Sequence, residues 1–255
     1  MNNTIETIMN RGSLRKYKEQ DISKEHLDII LKSAMRAPTA GNMMTYSIIT
    51  VRNKETKSKL AVSCDNQPFI AKAPLILIFL ADYSKWYKYY EINNTREFQE
   101  SKGEVFEGPS YGRFIISIED AVIAAQNAVL AAESLGIGSC YIGDIIEHKE
   151  YHKELFNLPS YVYPVAMLTL GYYPENYKVP IKDRFHEKYV VFEETYKALS
   201  IEDIKDMFKE KDKLFTEKNK YNAENYAQMH YSFKVNTDFA KEMTRSVKEA
   251  LKEWE

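Results

Sequence analysis

The sequence predicts a single α+β domain that carries a C-terminal helical extension. Residues 75–80 form a continuous apolar run, which is typical of a strand covered on both faces, and residues 162–170 form another apolar strand. Between them, an alanine-rich helix that ends before Gly136 leads into a short apolar strand at 138–142. The chain beyond about residue 195 is mainly charged and helical. We therefore expect a domain over residues 1–195 and a helical extension over residues 196–255.

The composition fits one large globular domain. The 255 residues are 44% apolar and 28% charged, with a net charge of −2, which gives no reason to expect nucleic acid as a partner. No apolar run approaches the roughly 20 residues of a membrane span, and the first residues lack a signal-peptide core. Two cysteines, Cys64 and Cys140, form neither a disulfide framework nor a metal knuckle. We therefore expect a cytoplasmic protein with no nucleic-acid and no membrane partner.

Residues 117–143 are the stretch around which the chain is organised. Ser117, with Asp120 three residues later, resembles a capping box and predicts a helix start. The helix is apolar on all sides, which predicts that it is buried. Gly136 ends this helix, and Gly143 ends the strand that follows. A glycine at the end of a buried strand lets backbone N–H groups face a ligand, although the same pattern also fits a plain core.

Periodicity and capping residues predict the elements that come before this stretch. They are a helix at 3–9, a basic turn at 11–17, a helix from Ser23 to about Ala37, a loop at 38–42, a strand at 46–52, a helix at 54–62 and the strand at 75–80. Residues 83–113 are irregular and begin with a cluster of aromatic residues, which is typical of a lid over a site.

A similar pattern predicts the elements after Gly143. They are a helix at 147–156, the strand at 162–170 ended by Gly171, a polar loop at 172–184 and charged helical sequence. The last predicted helix, at 238–254, carries one apolar face that includes Trp254. We expect this face to pack on a partner subunit, because it would otherwise be exposed.

Basic residues in two places could bind phosphate. Arg11, Ser13 and Arg15 alternate on a turn, so all three could point the same way, and guanidinium and hydroxyl groups are phosphate ligands. Lys182 and Arg184 repeat the pattern downstream. Each basic pair also fits a solvated surface, where charged residues usually lie.

Other candidate sites are weaker. The small-residue loop from Pro38 to Asn42 could border a planar ring or simply connect a helix to a strand. His148 and His152 are spaced to share one helix face, but no third ligand has suitable spacing, so we expect no metal. The sequence contains no GxSxG, P-loop or GxGxxG motif. Cys140 suits a buried thiol better than a nucleophile.

Four segments in one order resemble the nitroreductase family of FMN-dependent oxidoreductases. They are RGSLRKY, APTAGNMM, AAQNAVLAAESLGIGSCYIG and GYYPENYKVPIKDRF, and the resemblance covers residues 4–190. It implies a central, mostly antiparallel sheet flanked by helices, and a homodimer with two FMN sites at the subunit interface. Gly12 and Met44 depart from the family pattern, which implies one polar flavin contact fewer and a more apolar ring edge.

The resemblance also implies a role for each candidate residue. The phosphate and ribityl end is assigned to Arg11, Ser13, Lys182 and Arg184, the pyrimidine edge to Arg15 and Gln67, the flavin of the other subunit to Pro38, Thr39, Ala40 and Asn42, and the ring itself to Tyr141, Ile142 and Gly143. The backbone N–H of Gly143 would meet flavin N5. No side chain is expected to be catalytic, because FMN carries the chemistry.

The reaction implied by the resemblance is hydride transfer from NADH or NADPH, through FMN, to a flat electron-poor acceptor such as a nitroaromatic or a quinone. Other reactions on the same scaffold, such as flavin reduction or dehalogenation, stay open. So do a flavin-binding protein without turnover, used for storage or sensing, and a plain structural dimer whose basic residues are only surface.

Overall fold

A four-stranded antiparallel sheet forms the centre of the fold, as the resemblance implies. Its strands are β1 (Tyr46–Val51), β2 (Leu75–Asp82), β3 (Ile137–Ile142) and β4 (Val162–Tyr172). They lie in the order β1-β2-β4-β3, and each neighbouring pair is antiparallel. Strand β4 continues through Gly171, where the sequence predicted its end, because this glycine packs closely against Tyr17 and Pro74. Strand β3 is left at one edge of the sheet.

The computed structural model describes residues 2–254 and divides the chain into two compact units. The first unit runs to Ile181 and resumes at Glu242, and the second is Lys182–Lys241. The helices in chain order are α1 (Asn3–Asn10), α2 (Lys24–Met35), α3 (Lys54–Ser63), α4 (Pro68–Lys72), α5 (Ser84–Ile92), α6 (Thr95–Ser101), α7 (Tyr111–Ser134), α8 (Lys149–Leu155), α9 (Ile201–Asp212), α10 (Tyr226–Lys234) and α11 (Asp238–Leu251).

Strand β2 explains why the apolar run at 75–80 is continuous. All eight of its residues are buried. Leu75, Leu77 and Phe79 pack in one core cluster with α2 and α7, whereas Ile76 and Ile78 pack in another cluster with α3. Because successive side chains point to opposite faces of a sheet, a strand covered by helices on both sides has no polar alternation.

Helix α7 begins earlier than the sequence predicted. Its N-cap is Ser110 and its first residue is Tyr111, so Ser117 and Asp120 lie inside the helix rather than at its start. The Ser117 hydroxyl donates to the carbonyl of Arg113 at 2.8 Å. Both polar side chains are buried and form hydrogen bonds to groups other than the start of a helix. Their spacing therefore resembles a capping box, but neither side chain is a cap.

Helix α7 is buried on one face only, which corrects the prediction that it is buried on all sides. Ala121, Ala124 and Ala128 are fully buried in the core, but Ile115, Val122 and Ile123 are 40–52% exposed in the single chain. By length and composition this helix is also the one among the described residues that could cross a membrane. Its alanine face packs on the sheet, as expected of a core helix.

The segment at 83–113 contains two helices, α5 and α6, where the sequence suggested an irregular lid. Asn94, with φ of 53°, makes the turn between them. The indole N–H of Trp86 on α5 donates to the carbonyl of Met43 at 2.7 Å, and Tyr87 stacks on Tyr161 with ring centroids 4.9 Å apart. The aromatic cluster therefore anchors α5 to the domain.

The end of the chain returns to the first unit, so both the predicted boundary at residue 195 and the role of the last helix need correction. Trp254 is 1% exposed and packs with Tyr83, Phe114 and Tyr163 of the same chain. Val247 packs against the same cluster. The C-terminal part of the apolar face that predicted docking on a partner, Val247, Leu251 and Trp254, thus packs within its own chain.

The second unit contains α9, α10 and the loops around them. Ser200 caps α9 in a capping box with Asp203, and Phe185 stacks on Phe208 with ring centroids 5.1 Å apart. The hydroxyl of Tyr189 donates to Asp206 of α9. Residues 182–241 therefore form a small unit with two helices, in agreement with the charged helical pattern of the sequence.

Replacing Trp254 with alanine should destabilise the protein by about 3–5 kcal/mol, because a large buried ring leaves a cavity. Denaturant unfolding of the parent and the variant measures this. The control is Leu214→Ala, whose side chain is largely exposed and whose loss should cost about 0.5 kcal/mol or less. A loss below 1 kcal/mol for Trp254→Ala would contradict the placement of this ring in the core.

Candidate functional site

The basic turn at 11–17 is fixed to the edge strand β3. The N–H of Leu14 donates to the carbonyl of Ser139 at 2.8 Å, and Ser13 pairs with Ser139 in a parallel bridge. Leu14 is fully buried over Gly138, where an added Cβ would lie 2.6 Å from the leucine side chain. Alternation along the turn leaves Ser13 and Arg15 exposed. The turn therefore presents a hydroxyl and a guanidinium at the sheet edge.

Arg11 already has partners within the chain. Its Nε lies 3.8 Å from Glu133 Oε1, and its Nη2 donates to the carbonyl of Gly12 at 3.1 Å. Glu133 also accepts a hydrogen bond from Tyr173 at 2.8 Å, and burial raises the pKa of this carboxyl group. Part of the positive charge of Arg11 is thus engaged by helix α7, a contact that the sequence did not indicate.

Arg15 and Gln67 differ in how far they are engaged. The guanidinium of Arg15 lies over the ring of Phe69, 5.7 Å from its centroid, and forms no ion pair with any residue from 2 to 254. The Nε2 of Gln67 donates to Asp144 at 2.7 Å and to the carbonyl of Cys64 at 2.9 Å. Gln67 is thereby tied to the residue that follows Gly143, while Arg15 keeps an unpaired charge.

Gly143 stands in open space at the end of β3. A Cβ at this position would meet no atom within 4 Å, in contrast to the crowded Gly138. Gly143 is exposed, Tyr141 is half-buried and Ile142 is buried. A short 3₁₀ turn, Gly143–Ile146, follows. Packing within the chain therefore does not require glycine here, and the opening is compatible with a ligand lying against the backbone.

The loop from Pro38 to Asn42 is held by Asp120 of helix α7. One carboxylate oxygen accepts the N–H of Ala40 at 3.0 Å, and the other accepts the N–H and hydroxyl of Thr45 at 3.1 and 2.8 Å. Asp120 is 2% exposed. Sequence reasoning missed this positioning role, although a carboxylate within an alanine-rich buried helix was a signal for it.

The loop itself turns tightly. Gly41 and Asn42 have φ of 56° and 57°, the left-handed conformation that glycine and asparagine adopt most readily. The Thr39 hydroxyl accepts the N–H of Met44 at 3.2 Å. Pro38, Ala40 and Asn42 stay exposed. Hydrogen bonds therefore hold the loop in place, and its outer residues are exposed.

Lys182 and Arg184 belong to the second unit, whereas Arg11, Ser13 and Arg15 belong to the first. Both are exposed, and Arg184 Nη1 donates to the carbonyl of Lys182 at 3.3 Å. Arg184 lines a cavity of about 680 Å³ in that unit. In the first unit, Val179 lies against Gly12, three residues before Lys182 in the chain.

The two histidines considered as metal ligands have separate partners. His152 is fully buried with Nε2 2.9 Å from the Ser63 hydroxyl, whereas Nδ1 of His148 lies 3.3 Å from Glu242. Within residues 2–254, no group of three or more His, Cys, Asp or Glu side chains is arranged to hold a metal ion. Their i, i+4 spacing therefore reflects packing of α8 against its neighbours.

Both thiols of the protein are buried. Burial raises the pKa of Cys64 and of Cys140, and for Cys140 the nearby charge of Arg15 opposes the effect. A thiol is a nucleophile only as the thiolate, so neither cysteine is activated. The structure supports the expectation that Cys140 is a buried thiol.

Two buried ionisable groups follow Gly143 in the chain. Glu147 is 3% exposed, and burial together with the negative charges of Asp144, Asp65 and Glu242 raises its pKa to about 7. Burial lowers the pKa of His152 to about 4. At neutral pH, the carboxyl is thus partly protonated and the imidazole is neutral.

Comparison with known proteins identifies the class that this fold and site define. Residues 8–172 match the model described as the nitroreductase family. The chain belongs to the nitroreductase family, which confirms both the predicted family and the predicted fold class.

Relatives and solved structures agree with this assignment. The chain is 37% identical over 196 residues to an FMN reductase (NADPH) of Bacillus subtilis, covering 77% of this chain and 75% of the relative. It is 32% identical over 204 residues to an NADPH-flavin oxidoreductase of Vibrio harveyi, covering 80% and 79%. Among solved structures, B. megaterium NfrA2 superposes with a TM-score of 0.80 at 31% identity, covering 98% of both chains.

Replacing Glu147 with glutamine should change how stability depends on pH. The folded-state pKa of about 7 lies above the ordinary value of 4.5, so the carboxyl group costs the folded state increasingly as pH rises from about 4.5 to 7. Glutamine does not ionise, and we expect Glu147→Gln to gain up to about 3 kcal/mol relative to the parent over this range. Denaturant unfolding at a series of pH values measures the difference.

In the parent, His152 opposes this effect, because its lowered pKa makes stability rise with pH between about 4 and 6.5. The pH dependence of the parent is therefore flatter than that of Glu147→Gln. The exposed Glu97→Gln is the control and should follow the parent. Parallel curves for the parent and Glu147→Gln would contradict the assignment.

Proposed function

We propose that this protein transfers hydride from NADH or NADPH, through bound FMN, to a flat electron-poor acceptor such as a nitroaromatic or a quinone, in the cytoplasm. The chain is an NAD(P)H-dependent FMN oxidoreductase, as its family and its relatives' activities establish. The observation that carries the site assignment is the open backbone of Gly143 at the end of β3, on the same edge strand that holds Ser13.

The residues present fit a flavin phosphate and ring. Ser13 offers an exposed hydroxyl, Arg15 offers an unpaired guanidinium, and the strand end at Gly143 leaves room for a planar group. We assign the phosphate and ribityl chain to Ser13, Lys182 and Arg184. Arg11 shares its charge with Glu133 and so supports this end less than the sequence suggested.

When bound, FMN supplies the ring that accepts and donates hydride. The chain's own residues bind and orient that ring. Arg15 would place a positive charge at the pyrimidine edge of the flavin, where it would stabilise negative charge. The amide nitrogen of Gln67 donates to Asp144 and Cys64, so its amide oxygen is the group that would accept from the same edge. The backbone N–H of Gly143 would meet N5 of the flavin, with Tyr141 and Ile142 beside the ring.

We propose that the protein is a homodimer whose interface includes the outer face of α7. Ile115, Val122 and Ile123 would leave water there, and burying each such side chain is worth about 1.5–3 kcal/mol. The loop held by Asp120 would then place Pro38, Thr39, Ala40 and Asn42 near the flavin of the partner. The helical body at 196–241 is the part of the extension that remains available to pack on the partner.

A second candidate acceptor is free flavin. The relatives named above are called an FMN reductase and an NADPH-flavin oxidoreductase, which favours this activity over dehalogenation. Rates of NADPH oxidation with a quinone, a nitroaromatic and added FMN separate the acceptors. A yellow protein that does not oxidise NADH or NADPH with any of them would instead be a storage or sensing protein.

Replacing Arg184 with alanine should weaken FMN binding about ten- to a hundredfold without unfolding the protein. The reason is the loss of a charge-assisted contact to phosphate from an exposed residue. Equilibrium dialysis measures the FMN affinity. Lys205→Ala removes an exposed charge from the same unit and should leave the affinity unchanged. Equal retention of FMN by Arg184→Ala and the parent would remove Arg184 from the site.

Replacing Gly143 with valine should slow flavin reduction by NADPH far more than it weakens FMN binding. The new side chain has free space in the protein, so its effect must come from pushing on the ring, and hydride transfer needs reacting atoms about 3–3.5 Å apart. Stopped-flow reduction of the bound flavin measures the rate. Gly108→Val is the control, because this glycine also has open space around it. Reduction of Gly143→Val at the rate of the parent would show that the ring lies elsewhere.

A further inference from the structure

A second cavity, of about 780 Å³, lies beside the basic turn. We call it the basic basin, and define it by its lining residues: Arg15, Lys16, Tyr17, Lys18, Glu19, Gln20, Asp21, Lys54, Lys57, Phe69, Lys72 and Pro74. Of the residues assigned to the flavin, only Arg15 takes part in this lining. The volume of the basin is within the range of small-molecule sites, which is about 300–1,000 Å³.

The basic basin has an excess of positive charge. Six basic and two acidic side chains line it. None of the six basic side chains forms an ion pair within 4 Å in the described part of the chain, whereas Lys59, on the outside of α3, pairs with Glu55 at 2.7 Å. Like charges gathered in one cavity repel each other, so an anion placed among them would be stabilised.

Lys57 is the buried basic side chain of the basin. It is 7% exposed, and its ammonium donates to the carbonyl of Ala73 at 2.6 Å. Burial lowers the pKa of this amine, while the charge of Asp21 acts in the opposite direction. A buried ammonium without a carboxylate in contact is costly, because burial removes hydration that no counter-charge replaces. An anion in the basin would supply that charge.

Two residues from the first turn of helix α3 line the same cavity. The helix begins at Lys54, with Asn53 as its N-cap, and both Lys54 and Lys57 line the basin. The first turn of a helix carries partial positive charge and N–H donors, which favour phosphate. The partial charge of the helix end and the charges of the lysines therefore both favour binding of an anion.

One wall of the basin is apolar. Phe69 and Pro74 are half-buried there, and Tyr17 lies beside them. An aromatic wall next to several cations is the combination that holds a nucleotide, with rings stacked on one side and phosphates on the other. Inorganic phosphate alone would leave this wall and much of the volume unused.

We propose that the basic basin binds the phosphate groups of a nucleotide. Two sources share this chemistry: the adenosine phosphate end of NADPH, in which case the inference rests on the proposed function, and a separate nucleotide such as ADP. In both cases Arg15 links the basin to the flavin site. A bound anion would therefore offset part of the positive charge that Arg15 offers to the flavin.

The test measures binding of ADP and of adenosine 2′,5′-bisphosphate to the FMN-saturated protein by titration calorimetry. Lys57→Met keeps the length of the buried side chain, and Lys54→Gln/Lys72→Gln removes two exposed charges with little risk to folding. We expect either variant to bind the nucleotide at least about tenfold more weakly. Lys59→Gln, whose charge is outside the basin, should bind as the parent does.

Steady-state kinetics separates the two sources. If the basin holds the donor, Lys54→Gln/Lys72→Gln will raise the KM for NADPH at unchanged kcat, and will raise the KM for NADH less, because NADH shares the diphosphate but lacks the 2′-phosphate. If it holds a separate nucleotide, ADP binding will weaken while both KM values stay the same. Absence of nucleotide binding to the parent, or equal binding by the parent and the double variant, would overturn the inference. Nucleotide binding without NADPH or NADH oxidation would count against the proposed function and not against the basin.

Discussion

The seating of Leu14 on Gly138 is the contact on which the candidate site depends. It buries one residue of the basic turn against the edge strand and, by alternation, turns Ser13 and Arg15 outward. The adjacent backbone bond from Leu14 to Ser139 fixes the register. Any larger residue at position 138 would lift the turn, and with it the hydroxyl and guanidinium groups, away from β3. The packing of Leu14 in the core therefore also determines where the ligand-binding groups of the turn lie.

Helix α7 has two different surfaces with two different tasks. Its alanine face lets the sheet approach closely, and the buried Asp120 on it holds the loop that begins at Pro38. Its other face remains apolar and partly exposed. One rigid helix thus connects the core, the loop at 38–42 and the surface available to a second subunit. We therefore expect a change in the core, in the loop or on this surface to alter the other two regions.

The sequence was most informative where burial dominates. The run at 75–80 identified a central strand, because only a strand covered on both faces lacks polar alternation. Ser23 is an exposed N-cap whose hydroxyl accepts the N–H of His26, as its spacing predicted. Ser117 and Asp120 have cap spacing too, but they lie within a helix whose interior they serve. Spacing alone does not distinguish these cases.

Long-range contacts explain what the sequence did not predict. The engagement of Arg11 by Glu133 and the return of Trp254 to the first unit join residues more than 90 positions apart. No local pattern encodes such pairs. The four segments that resemble the nitroreductase family indicated which residues belong to the candidate site, which periodicity alone did not. How those segments lie relative to one another became known only from the fold.

The burial of both cysteines bears on the chemistry that the protein handles. Electrophiles alkylate thiolates, and reduced flavins pass electrons to oxygen to give peroxide, so an accessible thiolate close to a flavin is easily damaged. Cys64 and Cys140 have raised pKa values and no exposed surface, and both damage routes start from an accessible thiolate. Burial thus keeps both sulfur atoms from reacting with such electrophiles and oxidants.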